Sequence, residues 1–350
     1  MTTQTGRTAE ALARAAAMAG HAPSVHNTQP WRWTVHPDRL ELSAVRDRQL
    51  AATDPEGRLL TISCGAALHH ARTALAADGW DCTVRRLPDP DRPDLLAVLV
   101  AGEHRAPDEA AVRLVQTMSV RHTDRRPLSD EVLTDDVLKT ISEAVRAEGP
   151  HLHVLTGEQV YDLASAADRA GTAEREDPAV QEELAYWIGR GDGLGVPAHV
   201  LPEVQPATTV PGRDFGQPGT LPIAPGHDRA AFYGLFYGDG DEPLWWLRAG
   251  EALSAAWLTA TRLGASVLPL SAVVEVTATR AALRRLVAEL GWPYLVIRLG
   301  VADPEHAGPP HTPRLPTPRR STPPRPPTPQ DPRDQGLTRA CRRRVSRKTP

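Results

Sequence analysis

The sequence predicts an α+β fold made of two related α/β halves within one chain. Three observations point there. Helical and strand-like hydrophobic periods alternate in two successive rounds, a long Gly/Pro-rich stretch interrupts only the second round, and the end of the chain loses its apolar residues. With 350 residues and 41% hydrophobic content the chain can bury a large core.

The first round begins with an Ala-rich helix at 7–20. Strands follow at 31–35 (WRWTV) and 40–45 (LELSAV), around a turn at His36-Pro37-Asp38. A long helix at 59–78 leads to an apolar strand at 95–102, LLAVLVAG. The second round has a helix at about 107–119. In the next helix, Ser129 or Asp130 would be the cap and Val132, Val137, Ile141 and Val145 would share one face. HLHVL at 151–155 reads as a strand and 178–189 as a helix. Residues 191–228 hold no periodic pattern, as in a lid or a mobile loop. A strong helix at 245–264 carries Leu247, Leu253, Trp257 and Leu258 and ends at Gly264, and PYLVIRLG at 293–300 is a buried strand. The resulting organisation is an N-terminal half at 1–104, a C-terminal half at 105–315 and a Pro/Arg-rich tail at 316–350 that should be disordered.

Charge excludes some functions. Residues 311–350 hold eleven Arg or Lys against two Asp, which, from −3 overall, leaves −12 on residues 1–310. An acidic body argues against a nucleic-acid-binding core, and the basic tail reopens that question only weakly. No apolar run is long enough to cross a membrane, and Arg7, Glu10 and Arg14 interrupt the N-terminal alanines, so a cytoplasmic protein without membrane contact is expected. Cys64, Cys82 and Cys341 make no disulfide framework and no CxxC pair. Neither His69-His70 nor the pair His151 and His153 has a carboxylate or thiol at useful spacing, so no metal is expected. There is no HExxH, GxSxG or Walker loop, and the glycines of 189–195 lack dinucleotide-binding spacing.

Three constellations remain. APSVHNTQPW at 22–31 offers Ser24, Asn27, Thr28 and Gln29, short neutral donors and acceptors suited to the edge of a planar heterocycle; they equally suit a helix stop at Pro23 with Trp31 as a core anchor. Arg121-His122-Thr123-Asp124-Arg125 places two arginines four apart around a hydroxyl, a spacing that can converge on a phosphate, although Asp124 and Asp130 also permit a surface salt-bridge network. Gly264-Ala265-Ser266 follow the strong helix and would let the backbone approach a flat ligand, or simply cap the helix.

Together these residues carry a family resemblance. APSxxNTQPW after a helix resembles the flavin-contacting segment of FMN-dependent nitroreductases. RHTxR resembles that family's phosphate-binding Arg-x-Ser-x-Arg start, with Thr123 in place of Ser, and LRRLVAELGWPYLVIRLG at 283–300 is similar to its closing helix and strand, followed by a basic residue, here Arg314. The order of the motifs resembles a tandem, actinobacterial-type branch. The N-terminal half has the NTQPW run but no Arg motif, and the C-terminal half has the Arg motif but reads EGPHLHVL where NTQPW would stand.

The resemblance implies a nitroreductase-like fold, a fused pseudo-dimer with one composite FMN site and a dead second site. It implies that Ser24, Asn27, Thr28 and Gln29 approach the isoalloxazine, that Arg121, His122, Thr123, Arg125 and Arg314 hold ribityl and phosphate, and that Gly264, Ala265 and Ser266 present backbone to flavin N5. It further implies NADH or NADPH as electron donor, a nitroaromatic, quinone-like or similar small-molecule acceptor, and a monomer or weak homo-oligomer. Because the branch can carry an internal lid over the flavin, a flavin-sequestering protein without turnover is the alternative, and a tail-driven nucleic-acid binder is a third reading.

Overall fold

In the computed structural model, residues 2–223, 226–302 and 311–316 are described. The expected tail, apart from Pro316, lies outside them, as does Cys341. The first round folds as α1 (Thr2–Ala19), β1 (Trp31–Val35), β2 (Arg39–Ala44), α2 (Arg58–Ala77), β3 (Trp80–Arg86) and β4 (Leu95–His104). The second contains α3 (Glu109–Met118), α4 (Asp135–Ala147), β5 (His151–Val154), α5 (Gly157–Glu176), α6 (Pro178–Trp187), β6 (Phe232–Gly238), α7 (Pro243–Arg262), β7 (Ala265–Leu270), α8 (Ala272–Glu275), α9 (Thr277–Leu286) and β8 (Trp292–Val301).

Each round builds one antiparallel four-stranded sheet with the same topology. The first runs β1-β2-β4-β3 and the second β5-β6-β8-β7. In both, one 20-residue helix joins the second strand in sequence to the third: α2 in the first, α7 in the second. The second half adds α5, α6 and the irregular segment between β5 and β6, and α8 and α9 between β7 and β8.

The two long helices cross at glycine. A Cβ on Gly65 would lie 2.0 Å from the Leu247 carbonyl oxygen and 2.9 Å from Gly250 Cα. A Cβ on Gly250 would lie 1.9 Å from the Ile62 carbonyl oxygen and 2.8 Å from Gly65 Cα. The contact is reciprocal, so Gly65 and Gly250 stand on a pseudo-twofold axis. Carried along that pairing, the first residue of β3, Trp80, matches the first of β7, Ala265. At the start of α2 the N-cap position is Gly57, which has no side chain. Asp54 reaches in instead, its carboxylate accepting from Leu59 N at 3.0 Å and Leu60 N at 2.8 Å.

Several local expectations are corrected. The cap of α4 is Thr134, whose side chain accepts from Val137 N; Ser129 and Asp130 precede the helix, and Val132 is 59% exposed rather than on its buried face. β3, α5, β6 and α8 were not expected, and α9 begins six residues before the closing helix and strand expected at 283–300. Ala265 and Ser266, read as small residues at the end of a helix, open the edge strand β7, where Pro269 costs no ladder bond toward a further strand.

Gly250→Ala should cost at least ~3 kcal/mol in urea denaturation, the upper part of the usual overpacking range, because the obstructing atoms are backbone. Gly171→Ala is the control. Its Cβ would meet only the flexible end of Arg175, at 3.3 Å, and the loss of a mid-helix glycine should add ~0.5–1 kcal/mol.

Candidate functional site

Between the halves lies a cavity of about 520 Å³, within the ~300–1,000 Å³ typical of small-molecule sites. Its walls come from the 24–27 segment, the first turns of α2, the 121–125 segment, the middle of α7 and the end of β7. Residues 196–218 supply much of the rest of its lining.

The 24–27 segment is a tightly held turn. Ser24 Oγ accepts from Gln29 N at 2.9 Å, and Val25 N donates to Ser63 Oγ at 3.1 Å, fixing the turn to α2. His26, Asn27 and Gln29 all have positive φ, at 44°, 54° and 46°, a cluster of left-handed non-glycine residues of the kind that marks binding sites. The side chains do not all face the cavity as expected. Asn27 Nδ2 donates to Gly195 O at 3.0 Å and Pro313 O at 3.1 Å, while its Oδ1 accepts from Arg314 Nη1 at 3.1 Å. Gln29 Nε2 donates to Gly193 O at 2.7 Å and its Oε1 accepts from Leu315 N at 3.0 Å. These two amides clamp the base of the irregular segment to the 313–315 strap. Ser24 and Asn27 border the cavity, whereas Thr28 and Gln29 do not, and Thr28 is fully buried.

Arg121, His122, Thr123, Arg125 and Arg314 are brought together at the cavity. Asp124 decides the alternative salt-bridge reading: its carboxylate takes Arg126 in a fork, Nε and Nη2 each at 2.9 Å. Arg121, Arg125 and Arg314 make no ion pair with a carboxylate among the described residues. Arg121 is buried, with its guanidinium 4.5 Å over the Trp257 ring and one bond to His21 O at 3.2 Å. Arg125 lies 5.6 Å over Phe215 and donates to Val200 O at 3.4 Å. Burial pushes the pKa of Arg121 down to about 9, with Arg314 adding to the effect, and those of Arg125 and Arg314 down to about 10. The Nε atoms of Arg121 and Arg314 are buried without a partner. Desolvated guanidiniums with neutral partners and spare donors are the chemistry of an anion cradle, and a phosphate fits this donor set.

Gly264, Ala265 and Ser266 stand outside the cavity. Gly264, with φ of +78°, only ends α7, and the next residues pair with β8, Ala265 opposite Val301 and Ser266 opposite Gly300. The chain meets the cavity at the other end of that strand, at residues 268–273.

Of the irregular segment, residues between 196 and 218 line the cavity, and one side chain anchors them. Arg213, 7% exposed, reaches His26 Nε2 at 2.6 Å, Glu174 at 2.7 Å on α5 and Glu275 at 2.5 Å on α8. Burial, then Arg213 and Arg125, hold the His26 pKa well below its usual value, so this imidazole is the neutral partner of the cluster. Arg213, Phe215, Glu174 and Trp257 escaped notice as site residues. Trp257 was visible only as a helix position, and the others carry no motif.

The pseudo-twofold cleft is different. Pairing Gly65 with Gly250 sets Arg72 at the counterpart of Trp257 and Arg86 at that of Ser271. There Glu251, fully buried, accepts from Arg72 at 2.6 Å and from Arg86 at 2.7 and 2.9 Å, and Arg72 also holds Glu148 at 2.6 Å. Side chains fill that position with a closed ion cluster.

No family model matches the chain. Over 308 residues, 86% of this chain and 88% of the relative, it is 39% identical to a Mycobacterium tuberculosis protein provisionally named NAD(P)H nitroreductase Rv3131. The chain belongs to the nitroreductase family. A second nitroreductase relative from the same organism, provisionally named acg, is 32% identical over 307 residues, 87% of this chain and 92% of its own. Among solved structures, an FMN-bound nitroreductase from Bacteroides fragilis aligns over 57% of this chain and 93% of its own, at 16% identity and a TM-score of 0.36. Among the described residues of this chain no helix is long and apolar enough to cross a membrane, and no group of three or more His, Cys, Asp or Glu is placed to hold a metal.

Arg213→Ala would leave two buried carboxylates without their cation and should cost ~3–5 kcal/mol near pH 8 in urea denaturation. Burial already raises the Glu174 pKa above its unfolded value, so folding takes up a proton there as pH falls. The variant's deficit should therefore shrink between pH 8 and pH 5.

Proposed function

We propose that this chain is an oxidoreductase that binds one FMN in the cavity between its halves and passes electrons from NADH or NADPH to a flat small-molecule acceptor, of the nitroaromatic or quinone class. The observation that carries the reading is the set of three desolvated arginines, Arg121, Arg125 and Arg314, free of carboxylate ion pairs, at a cavity to which α2 and α7 contribute Leu59, Ile62, Leu253 and Trp257.

Arg121, Arg125 and Arg314 would neutralise the phosphate, with the Thr123 hydroxyl beside them. Trp257 holds Arg121 in place from below through the stacked contact. Leu59 and Ile62 of α2 and Leu253 of α7 line the cavity and exclude water from it. Ser271 and Ala272, just beyond the end of β7, bring main chain to the wall without bulk, the role first expected of Gly264 to Ser266. FMN, when bound, supplies reversible hydride chemistry, and the protein needs no side-chain acid or base for that transfer. One cofactor per chain follows from the Glu251 cluster, whose four charged side chains occupy the related cleft.

The lid anchored by Arg213 favours a second reading, a flavin-holding protein that does not turn over. An anaerobic addition of NADPH to the holo-protein separates the two: loss of the flavin band indicates a reductase, and an unchanged band indicates storage.

Purified protein should be yellow, with one FMN per chain by absorbance. Arg121→Ala and Arg125→Ala should each weaken FMN by ~1.5–3 kcal/mol in a fluorescence titration, the usual worth of a hydrogen bond to a charged group. Arg39→Ala, on the far β2 strand, is the control. Losses equal to that of Arg39 would remove the phosphate assignment, and a colourless protein that FMN does not colour would remove the whole reading.

A further inference from the structure

Three imidazoles stand beside the phosphate cradle, and the hydride chemistry uses none of them. His122 and His311 line the cavity, with ring centroids 5.9 Å apart in an edge-to-face arrangement. His122 Nδ1 lies 3.0 Å from Val120 O, so its other ring nitrogen is left for a ligand or solvent. His21 directly precedes the turn that starts the site, and its carbonyl oxygen accepts from Arg121 at 3.2 Å and from Arg314 at 3.5 Å. The charged and titratable groups that act on His21 are Arg314, Arg121 and His311, and those that act on His311 are His122, Arg121 and Arg314. None of the three makes an ion pair with a carboxylate among the described residues.

We propose that His21 and His311 are a proton-binding pair beside the phosphate cradle, so that the chain takes up protons when it binds a phosphorylated flavin and not when it binds the bare one. The inference rests on the FMN reading above.

The physical basis is a balance of fields. Burial, then the two arginines and His311, lowers the pKa of His21, and burial, His122 and the same two arginines lower that of His311. A phosphate dianion between Arg121 and Arg314 offsets the two guanidinium charges that act on His21 and His311, which removes their penalty on the imidazolium and draws a proton from solvent. The sign for affinity follows. Proton uptake on binding makes affinity rise as pH falls, by up to about tenfold per pH unit for one full proton. The trend should hold from pH 8 to about 6.5, above the phosphate's own second pKa of ~6, below which the ligand itself loses charge. Riboflavin, with the same ring and no phosphate, should show a flat profile.

The test is isothermal titration of FMN and of riboflavin at pH 7.5 in buffers of differing ionisation enthalpy, using the full chain. The expected result is an uptake of at least about 0.3 proton per FMN, none for riboflavin, and a reduction of at least half in the His21→Gln/His311→Gln variant, with an unchanged circular dichroism melt. The wild-type comparison needs no variant, so a folding defect in the double variant cannot hide the answer. Equal proton counts for FMN and riboflavin, or an uptake undiminished in a folded double variant, would overturn the inference while leaving FMN binding intact. A chain that binds no FMN at all would remove both.

Discussion

The crossing of two helix backbones at Gly65 and Gly250 sets the geometry on which everything else hangs. Because neither position carries a side chain, α2 and α7 approach until a carbonyl oxygen of each lies where the other's Cβ would be. That closeness draws one sheet toward each side of the crossing, leaving two clefts related by the pseudo-twofold axis. The walls of the ligand cavity are the flanks of these helices, Leu59, Ile62 and Ser63 from one and Leu253 and Trp257 from the other. A helix pair held a side chain further apart would widen both clefts, because the facing walls ride on the two helices.

The same backbone frame is put to opposite uses on its two sides. On one side positive charge is concentrated and left with neutral neighbours, Arg121, Arg125 and Arg314 lacking a carboxylate partner among the described residues. On the other, Arg72 and Arg86 meet Glu251 and Glu148, and the charges complete each other. Covalent fusion permits this division. In a symmetric dimer a substitution at one α2 position appears in both clefts, whereas here Trp257 and Arg72 occupy equivalent places and differ freely. His69, Ser254 and His70 are hydrogen-bonded to one another across the interface, 2.8 and 2.9 Å apart, a polar seam between the two sides.

How much of this the sequence shows depends on the range of the interaction. α7 was readable because Leu247, Leu253, Trp257 and Leu258 repeat with helical spacing, and the pairing of NTQPW with RHTxR across the two halves located the cavity. α5 escaped because its buried face is mostly alanine, Ala166, Ala167 and Ala170, amid charged neighbours. β7 escaped because Pro269 and small residues suggest a loop, and only its edge position makes them compatible with a strand. Asn27 and Gln29 were read as ligand contacts because their types fit that task. Their actual partners, Gly195, Gly193, Pro313 and Leu315, lie 164 to 286 residues away. Arg213 was invisible for the same reason, its three partners lying on three other elements.

That long-range clamp has a consequence for biosynthesis. Asn27 and Gln29 leave the ribosome early, and the strap they grip emerges about 290 residues later, roughly 15–60 s at ~5–20 residues per second. Until then the 24–29 turn holds left-handed backbone without the contacts that stabilise it, and Arg314 is missing from the cradle. Completion of the cavity is thus tied to near-completion of the polypeptide, and a truncated product ending before the strap would lack one wall of it.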